Sequence, residues 1–255
     1  MKANNFLLFL VLALIIFSCR KDPKITTSYR YAFFVAGHAY GSPLFPPQFG
    51  LHQPFENHIP FINNYQKMNF GVLTGDVVNK PYQQYWDSAI YQINKLNMPI
   101  HISAGNHDRG ETFDALYEPY YSYQLHGDLF IILNTNGWKI INDQKYFLEQ
   151  TIKDYAHKVN NIFVFTHELI WWSPTNMFKN IKFNYLPNYP GSTNYWEDIF
   201  PLFDTLDNNI TLFAGDIGAT DKVTPYMYHK EKNITYIANG MGSYKNDNLI
   251  TIEVD

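Results

Sequence analysis

The chain is short of several things, and each shortage removes a class of protein. One cysteine, Cys19, occurs in 255 residues, so no internal disulfide can form. Charged side chains make up only 16% and the formal charge is −4, and nothing in that balance points to a nucleic-acid binder. There is no Gly-x-Ser-x-Gly elbow, which weighs against a Ser-His-Asp hydrolase. The one long apolar run, Phe6 to Phe17, has twelve residues, too few to span a bilayer as a helix. Neither internal repeats nor a second-domain boundary is visible.

Aromatic residues, by contrast, are abundant, with 20 Phe, 20 Tyr and 5 Trp. That composition is globular, and the length suits one large domain with a sizeable core. Lys2 ahead of the apolar run makes a positive leader, and Ile16-Phe17-Ser18-Cys19 closes it. The closing tetrapeptide resembles a bacterial lipobox, which implies that Cys19 becomes the lipidated first residue of the mature protein. Residues 1–18 are then a lipoprotein signal peptide, 19–29 a polar tether and 30–255 a single domain. The expected location is the bacterial cell envelope, facing the periplasm or the surface, with membrane contact through the N-terminal lipid.

Beyond the tether, apolar strand candidates alternate with helical spacing. Strands are expected at 31–36, 70–74, 98–103, 126–134, 162–166, 210–214, 234–238 and 249–254, and helices near 55–68, 82–96, 142–157 and 196–206. Residues 42–56 and 170–195 read as irregular, the latter dense in Trp, Tyr, Phe, Asn and Pro. A loop of that length is often a lid or a binding loop, and its Trp and Tyr rings suit stacking on sugars as well as covering a sheet edge.

Strand after strand ends in a polar residue: His38, Asp76, Asn106 with His107 and Asp108, His167, and Asp216. Sheets whose strands are joined by helices gather such carboxyl ends into one site. Singly, an Asp after Gly is an ordinary turn former and a His after a strand an ordinary structural residue. Together they are oxygen and imidazole donors suited to manganese, iron or zinc.

In that order the residues resemble the calcineurin-like metallophosphoesterase family, over residues 31–255. Gly75-Asp76 and Gly105-Asn106-His107-Asp108 match its central motifs, and His167 its later lone histidine. The resemblance implies an α/β (α+β four-layer) fold of two packed mixed β-sheets flanked by helices. It also implies that Asp76 bridges two metals, that Asn106 and His167 ligate the second of them, and that His107 faces the scissile phosphate with Asp108 orienting it.

Two motifs depart from the family pattern. The opening one is Ala36-Gly37-His38, without its Asp, and the closing one is Gly215-Asp216-Ile217-Gly218, without either histidine. His38 and Asp76 alone remain for the first metal, whereas Asp76, Asn106, His167 and Asp216 remain for the second. One divalent ion per chain is therefore expected. With two carboxylates it gives a net charge near zero in place of about +2, on the order of several kcal/mol less attraction for phosphate at an effective dielectric near 20. Three readings stay open. The first is a mononuclear phosphoester hydrolase of the envelope, its ion acidifying a water and His107 assisting. The second is an inactive relative that binds an envelope glycan or similar ligand, and the third is a dinuclear enzyme with replacement ligands from His52, His58 or Asp221.

Overall fold

The computed structural model describes residues 31–42, 44, 49–135, 137–184 and 193–255. Cys19, with the expected signal peptide and tether, lies outside the described residues. In chain order the elements are β1 (Tyr31–Ala36), α1 (Gln53–Asn64), β2 (Met68–Thr74), α2 (Gln83–Ile93), β3 (Ile100–Ser103), α3 (Glu111–Leu116), β4 (Tyr121–Leu125) and β5 (Asp128–Ile132). They continue with α4 (Asn142–Tyr155), β6 (Asn161–Phe165), a π-helical turn Tyr195–Ile199 running into α5 (Phe200–Asp204), β7 (Asn209–Ala214), β8 (Tyr226–Glu231), β9 (Ile234–Asn239) and β10 (Ile250–Val254).

The strands form two mixed sheets. In the four-stranded sheet, ordered β10-β1-β2-β3, the first three strands of the chain are parallel and β10 is antiparallel. In the six-stranded sheet, ordered β4-β5-β6-β7-β9-β8, the four inner strands are parallel and the edges antiparallel. Parallel strands need crossovers, and helices α1, α2 and α4 supply three of them. The expected α/β architecture of two packed mixed sheets with flanking helices is the one observed.

Every residue of β1 is buried, and its side chains alternate between two apolar layers as the period of a strand requires. Phe33 and Val35 belong to the layer between the sheets with Phe70, Phe130, Phe163, Phe165 and Phe213. Phe33 stacks on Phe70 at 4.9 Å and meets Phe130, Phe163, Phe165 and Phe213 edge-on at 5.2–6.0 Å. Removing such a ring costs about 3–5 kcal/mol, so the aromatic surplus of the sequence is what clamps the sheets together. Phe34 and Ala36 point the other way, into a cluster with Phe55 and Ile59 of α1 and Trp86 of α2.

The third layer covers the six-stranded sheet. Leu148 and Ile152 of α4 and Phe203 of α5 pack there beside Trp171, Trp172, Phe178 and Tyr195, and the Trp196 indole donates to the Trp171 carbonyl at 2.8 Å. Of the two readings of these rings, the described ones follow the second and cover the sheet, because a sheet with helices over only part of its outer face exposes apolar surface that something must cover.

Three elements were not anticipated: α3, β4 and β8. Helix α3 has six residues, too few for a 3.6-residue period to register. Strands β4 and β8 are edges whose alternation is diluted by partial exposure. The β4–β5 connection is a two-residue turn, His126 at φ +53° and Gly127 at φ +85°, the left-handed pair that tight hairpins favour.

Candidate metal centre

Site residues follow β1, β2 and β3 in one sheet and β6 and β7 in the other, all at carboxyl ends. Glycines let these ends approach. A methyl at Gly75 would strike the His167 imidazole, one at Gly105 the Asp76 carboxylate, and one at Gly215 the Thr74 carbonyl oxygen. Backbone bonds stitch the loops: His38 donates to the Gly75 carbonyl at 3.0 Å, Tyr40 to that of Asp76 at 3.0 Å, and Asp216 to that of His167 at 3.0 Å. His38 at φ +54° and Asp76 at φ +52° are left-handed, a conformation costing roughly 1–2 kcal/mol for a residue with a Cβ. Strain of this kind gathers where the fold over-determines a functional geometry.

His167 is wholly buried. Its Nδ1 lies 2.9 Å from the Thr74 carbonyl oxygen, which can only accept, so Nδ1 carries a proton and Nε2 is the nitrogen left to face the carboxylates. That Nε2 has no hydrogen-bond partner and sits 3.4 Å from Asp76 Oδ1 and 3.9 Å from Asp216 Oδ1. One donor atom from each of the three residues falls within 4.8 Å of the others. An unpartnered imidazole nitrogen between two buried carboxylates, its far nitrogen fixed by a carbonyl, has the chemistry of a divalent-metal site.

The electrostatics agree with that. Burial alone would lower the His167 pKa, but the Asp76 and Asp216 carboxylates outweigh it and hold the imidazole at about 9. Burial works to raise Asp76, yet His167 and His38 keep it well below the usual carboxylate range. Asp216 is pushed well above that range by burial, with Asp76 and Glu168 adding to the effect against His167. A cation here is compensated by charges the fold already pays to bury.

The remaining expected residues divide. Asn106 is exposed and lines, with His38, His107, Asp76 and Asp216, a cavity of about 340 Å³. His38 meets the other oxygen of the Asp76 carboxylate, Nε2 to Oδ2 3.2 Å, and stands outside the close trio. The half-buried His107 donates its backbone N–H to Asp76 Oδ1 at 3.1 Å, and its Nδ1 lies 2.8 Å from the Asn79 carbonyl oxygen. Asp108 was expected to orient His107 and does not. It is fully buried and accepts backbone N–H groups from Val77 (2.8 Å), Val78 (3.0 Å) and Gly105 (2.8 Å). It is a brace between the Gly-Asp and Gly-Asn-His-Asp loops, and burial with the nearby Asp76 charge lifts its pKa to about 6.

None of the three reserve ligands joins the centre. His52 is committed to Asp247, Nε2 to Oδ2 2.8 Å. His58 lies on α1 with Nδ1 2.7 Å from the Pro54 carbonyl oxygen, and Asp221 lines a neighbouring cavity. The sequence reading missed Tyr40, whose ring lies 4.6 Å from His38 and 5.1 Å from His107 between centroids. Its buried hydroxyl has no partner, and burial followed by the Asp76, Asp108 and Asp216 charges raises its pKa far above that of ordinary tyrosine. The only available signal was its place two residues after His38 in a strand-end loop.

No protein-family model matches the chain, and no curated protein does. Solved structures do. A dimetal phosphatase from Danio rerio superposes with a TM-score of 0.56 at 9% identity, over 82% of this chain and 87% of that one. A purple acid phosphatase, PPD1, from yellow lupin (Lupinus luteus) seeds superposes with a TM-score of 0.58 at 15% identity, over 84% of this chain and 44% of that one. The present chain thus spans less than half of the lupin protein. The chain shares the fold of these two phosphatases, and it carries a buried aspartate–histidine–aspartate group at its strand ends.

Proposed function

We propose that the chain is a metal-dependent phosphoester hydrolase that works with one divalent ion, manganese, iron or zinc, held by Asp76, Asn106, His167 and Asp216. The observation that carries this is His167 Nε2, buried without a partner between two carboxylates at the strand ends of a phosphatase fold. A divalent ion at such a place supplies Lewis acidity toward water and phosphoryl oxygen. The rest is done by the chain. Thr74 holds His167 in the tautomer whose Nε2 is free. The Asn79 carbonyl holds His107 through Nδ1, which leaves Nε2 to protonate the leaving oxygen from the doubly protonated ring. His38 secures Asp76 Oδ2, and Asp108 locks the two loops that carry Asp76, Asn106 and His107.

The envelope setting rests on the leader: Lys2, the apolar run from Phe6 and the lipobox-like tetrapeptide ending at Cys19. Among the described residues no helix is long and apolar enough to cross a membrane; the proposed attachment is the lipid on Cys19. Chelator-treated protein, reloaded with manganese, zinc or iron, tests the reading through metal content and hydrolysis of nitrophenyl phosphate esters. Turnover that depends on the ion, and that His107→Ala abolishes while retaining the ion, is the expected result. Full ion occupancy without hydrolysis of any phosphoester overturns it.

A further inference from the structure

Each sheet has two edge strands, and an edge is a row of backbone N–H and C=O groups open to pairing. Three of these edges are short or tied down. Strand β3 has four residues, and its His101 Nδ1 lies 2.7 Å from the Tyr121 hydroxyl of β4, so those two edges close on each other. Glu253 of β10 accepts the Tyr65 hydroxyl at 2.6 Å. Strand β8 carries no such guard among the described residues. Its six residues, Tyr226-Met227-Tyr228-His229-Lys230-Glu231, include no proline, and they pair with β9 without a bulge.

The register with β9 shows where the β8 side chains go. Met227 lies opposite Ala238 in the layer that covers the six-stranded sheet, and His229 meets Phe178 of that layer edge-on at 5.3 Å. Tyr228 lies opposite Ile237, which belongs to the layer between the sheets. Tyr226, Tyr228 and Lys230 therefore face that inner side. There β8 overhangs the four-stranded sheet, which ends at β10, and Tyr226 is left 47% and Tyr228 56% exposed.

We propose that β8 pairs antiparallel with β8 of a second copy of this chain, about a twofold axis through Tyr228, so that two six-stranded sheets become one continuous sheet. A twofold perpendicular to the sheet keeps every side chain on its own face, so only residues of like face are opposed. Centred on Tyr228, it sets Tyr226 opposite the partner's Lys230, Met227 opposite the partner's His229, and Tyr228 opposite the partner's Tyr228. Each lysine ammonium meets a tyrosine ring, an attractive pair, and no like charges are opposed. Moving the centre to His229 opposes two imidazoles and sets Met227 against a glutamate. Moving it to Met227 draws Pro225, which has no N–H, into the ladder. The strand thus complements itself in one register, and that singles out a second copy over an unrelated extended chain. Because the pairing is antiparallel, the carboxyl ends of the two sets of inner strands point to opposite ends of the joined sheet, and the two clefts do not obstruct each other.

The test is the mass of the full-length chain in detergent solution at micromolar concentration, by light scattering and sedimentation. Twice the chain mass is expected for the parent. Tyr228→Lys, at an exposed position that tolerates the change, opposes two ammonium groups on the axis and should raise the dimer dissociation constant at least about tenfold, with the urea midpoint of the chain retained. Tyr226→Glu sets a carboxylate against the partner's Lys230 and should leave the dimer intact. In a Cys19→Ser background, which removes the one native thiol, Tyr228→Cys should form a disulfide between copies. A monomeric parent overturns the proposal. A dimer that Tyr228→Lys leaves unchanged also overturns it, since association through the leader or another face would behave in that way. A dimer that Tyr226→Glu dissociates, or whose Tyr228→Cys variant stays reduced in air, overturns it as well.

Discussion

The two oxygens of the Asp76 carboxylate have different surroundings. Oδ1 faces His167 at 3.4 Å, and His167 in turn faces Asp216 at 3.9 Å, a group closed on itself and unpartnered at Nε2. Oδ2 faces His38 at 3.2 Å. On that second side the motifs that the sequence resembles would need an Asp at Ala36 and a His at Gly218, and neither position suits one. The Ala36 side chain is fully buried in the apolar cluster beneath α1 and α2. Gly218 stands at φ +82°, where a Cβ would come 2.5 Å from the Gly240 carbonyl oxygen. The depleted half of the site is thus written into backbone and packing as well as into side-chain identity, and two point changes do not undo it.

The sharpest way to break this comparison is at the glycines both halves share. Gly215→Ala puts a methyl onto the Thr74 carbonyl oxygen and against Gly37 Cα at 2.9 Å. The expected loss exceeds about 4 kcal/mol, read as a chain that no longer shows a cooperative urea transition. Gly127→Ala is the control, since its φ of +85° strains a side chain but nothing lies within 4 Å. It is expected to cost only about 1–2 kcal/mol. Similar losses for the two would mean that the loops are not in close approach.

Rebuilding the depleted half comes next in size. Ala36→Asp with Gly218→His buries a carboxylate among apolar side chains and forces a side chain where the backbone excludes one. The expected outcome is a destabilisation of several kcal/mol with no second ion gained, checked by urea unfolding and elemental analysis. A stable variant holding two ions would show the packing argument to be mistaken.

The smallest effect contrasts the charged centre with a neutral, half-buried imidazole. His101 of β3 stacks on Tyr123 at 4.4 Å with Nδ1 2.7 Å from the Tyr121 hydroxyl, and burial lowers its pKa to about 4. Because this base is depressed on folding, the unfolded chain binds the extra proton first. Its contribution is full above about 6.5, the unfolded value, and is lost as pH falls toward 4. His101→Gln should flatten the fall of the urea midpoint between pH 7 and 4. An unchanged slope would place the imidazole in solvent.

Much of this was legible from residue order alone. The apolar runs ending in Gly-Asp and Gly-Asn-His-Asp marked parallel strands and placed their polar ends together, because a strand buried on both faces must be apolar throughout and its chemistry must follow it. The helix boundaries shifted inward by a few residues, as for α2, where Tyr82 and Leu96 flank the observed Gln83–Ile93. What could not be read was anything set by three-dimensional partners. Asp108 looked like a catalytic orienter until its three backbone donors were seen. Tyr40 looked like one aromatic among many, and the rings from Trp171 to Trp196 suited a sugar platform as well as a sheet cover until the six-stranded sheet claimed them. Edge strand β8 was missed because exposure, not chain chemistry, sets its pattern.

The account stands most directly on metal stoichiometry. Protein purified without chelator, exchanged through metal-free buffer and analysed for manganese, iron and zinc is predicted to hold one ion per chain. His38→Ala should keep that ion and Asp216→Asn should lose it. Two ions in the parent, or loss of the only ion from His38→Ala with retention in Asp216→Asn, would contradict the assignment of the ion to Asp76, His167 and Asp216.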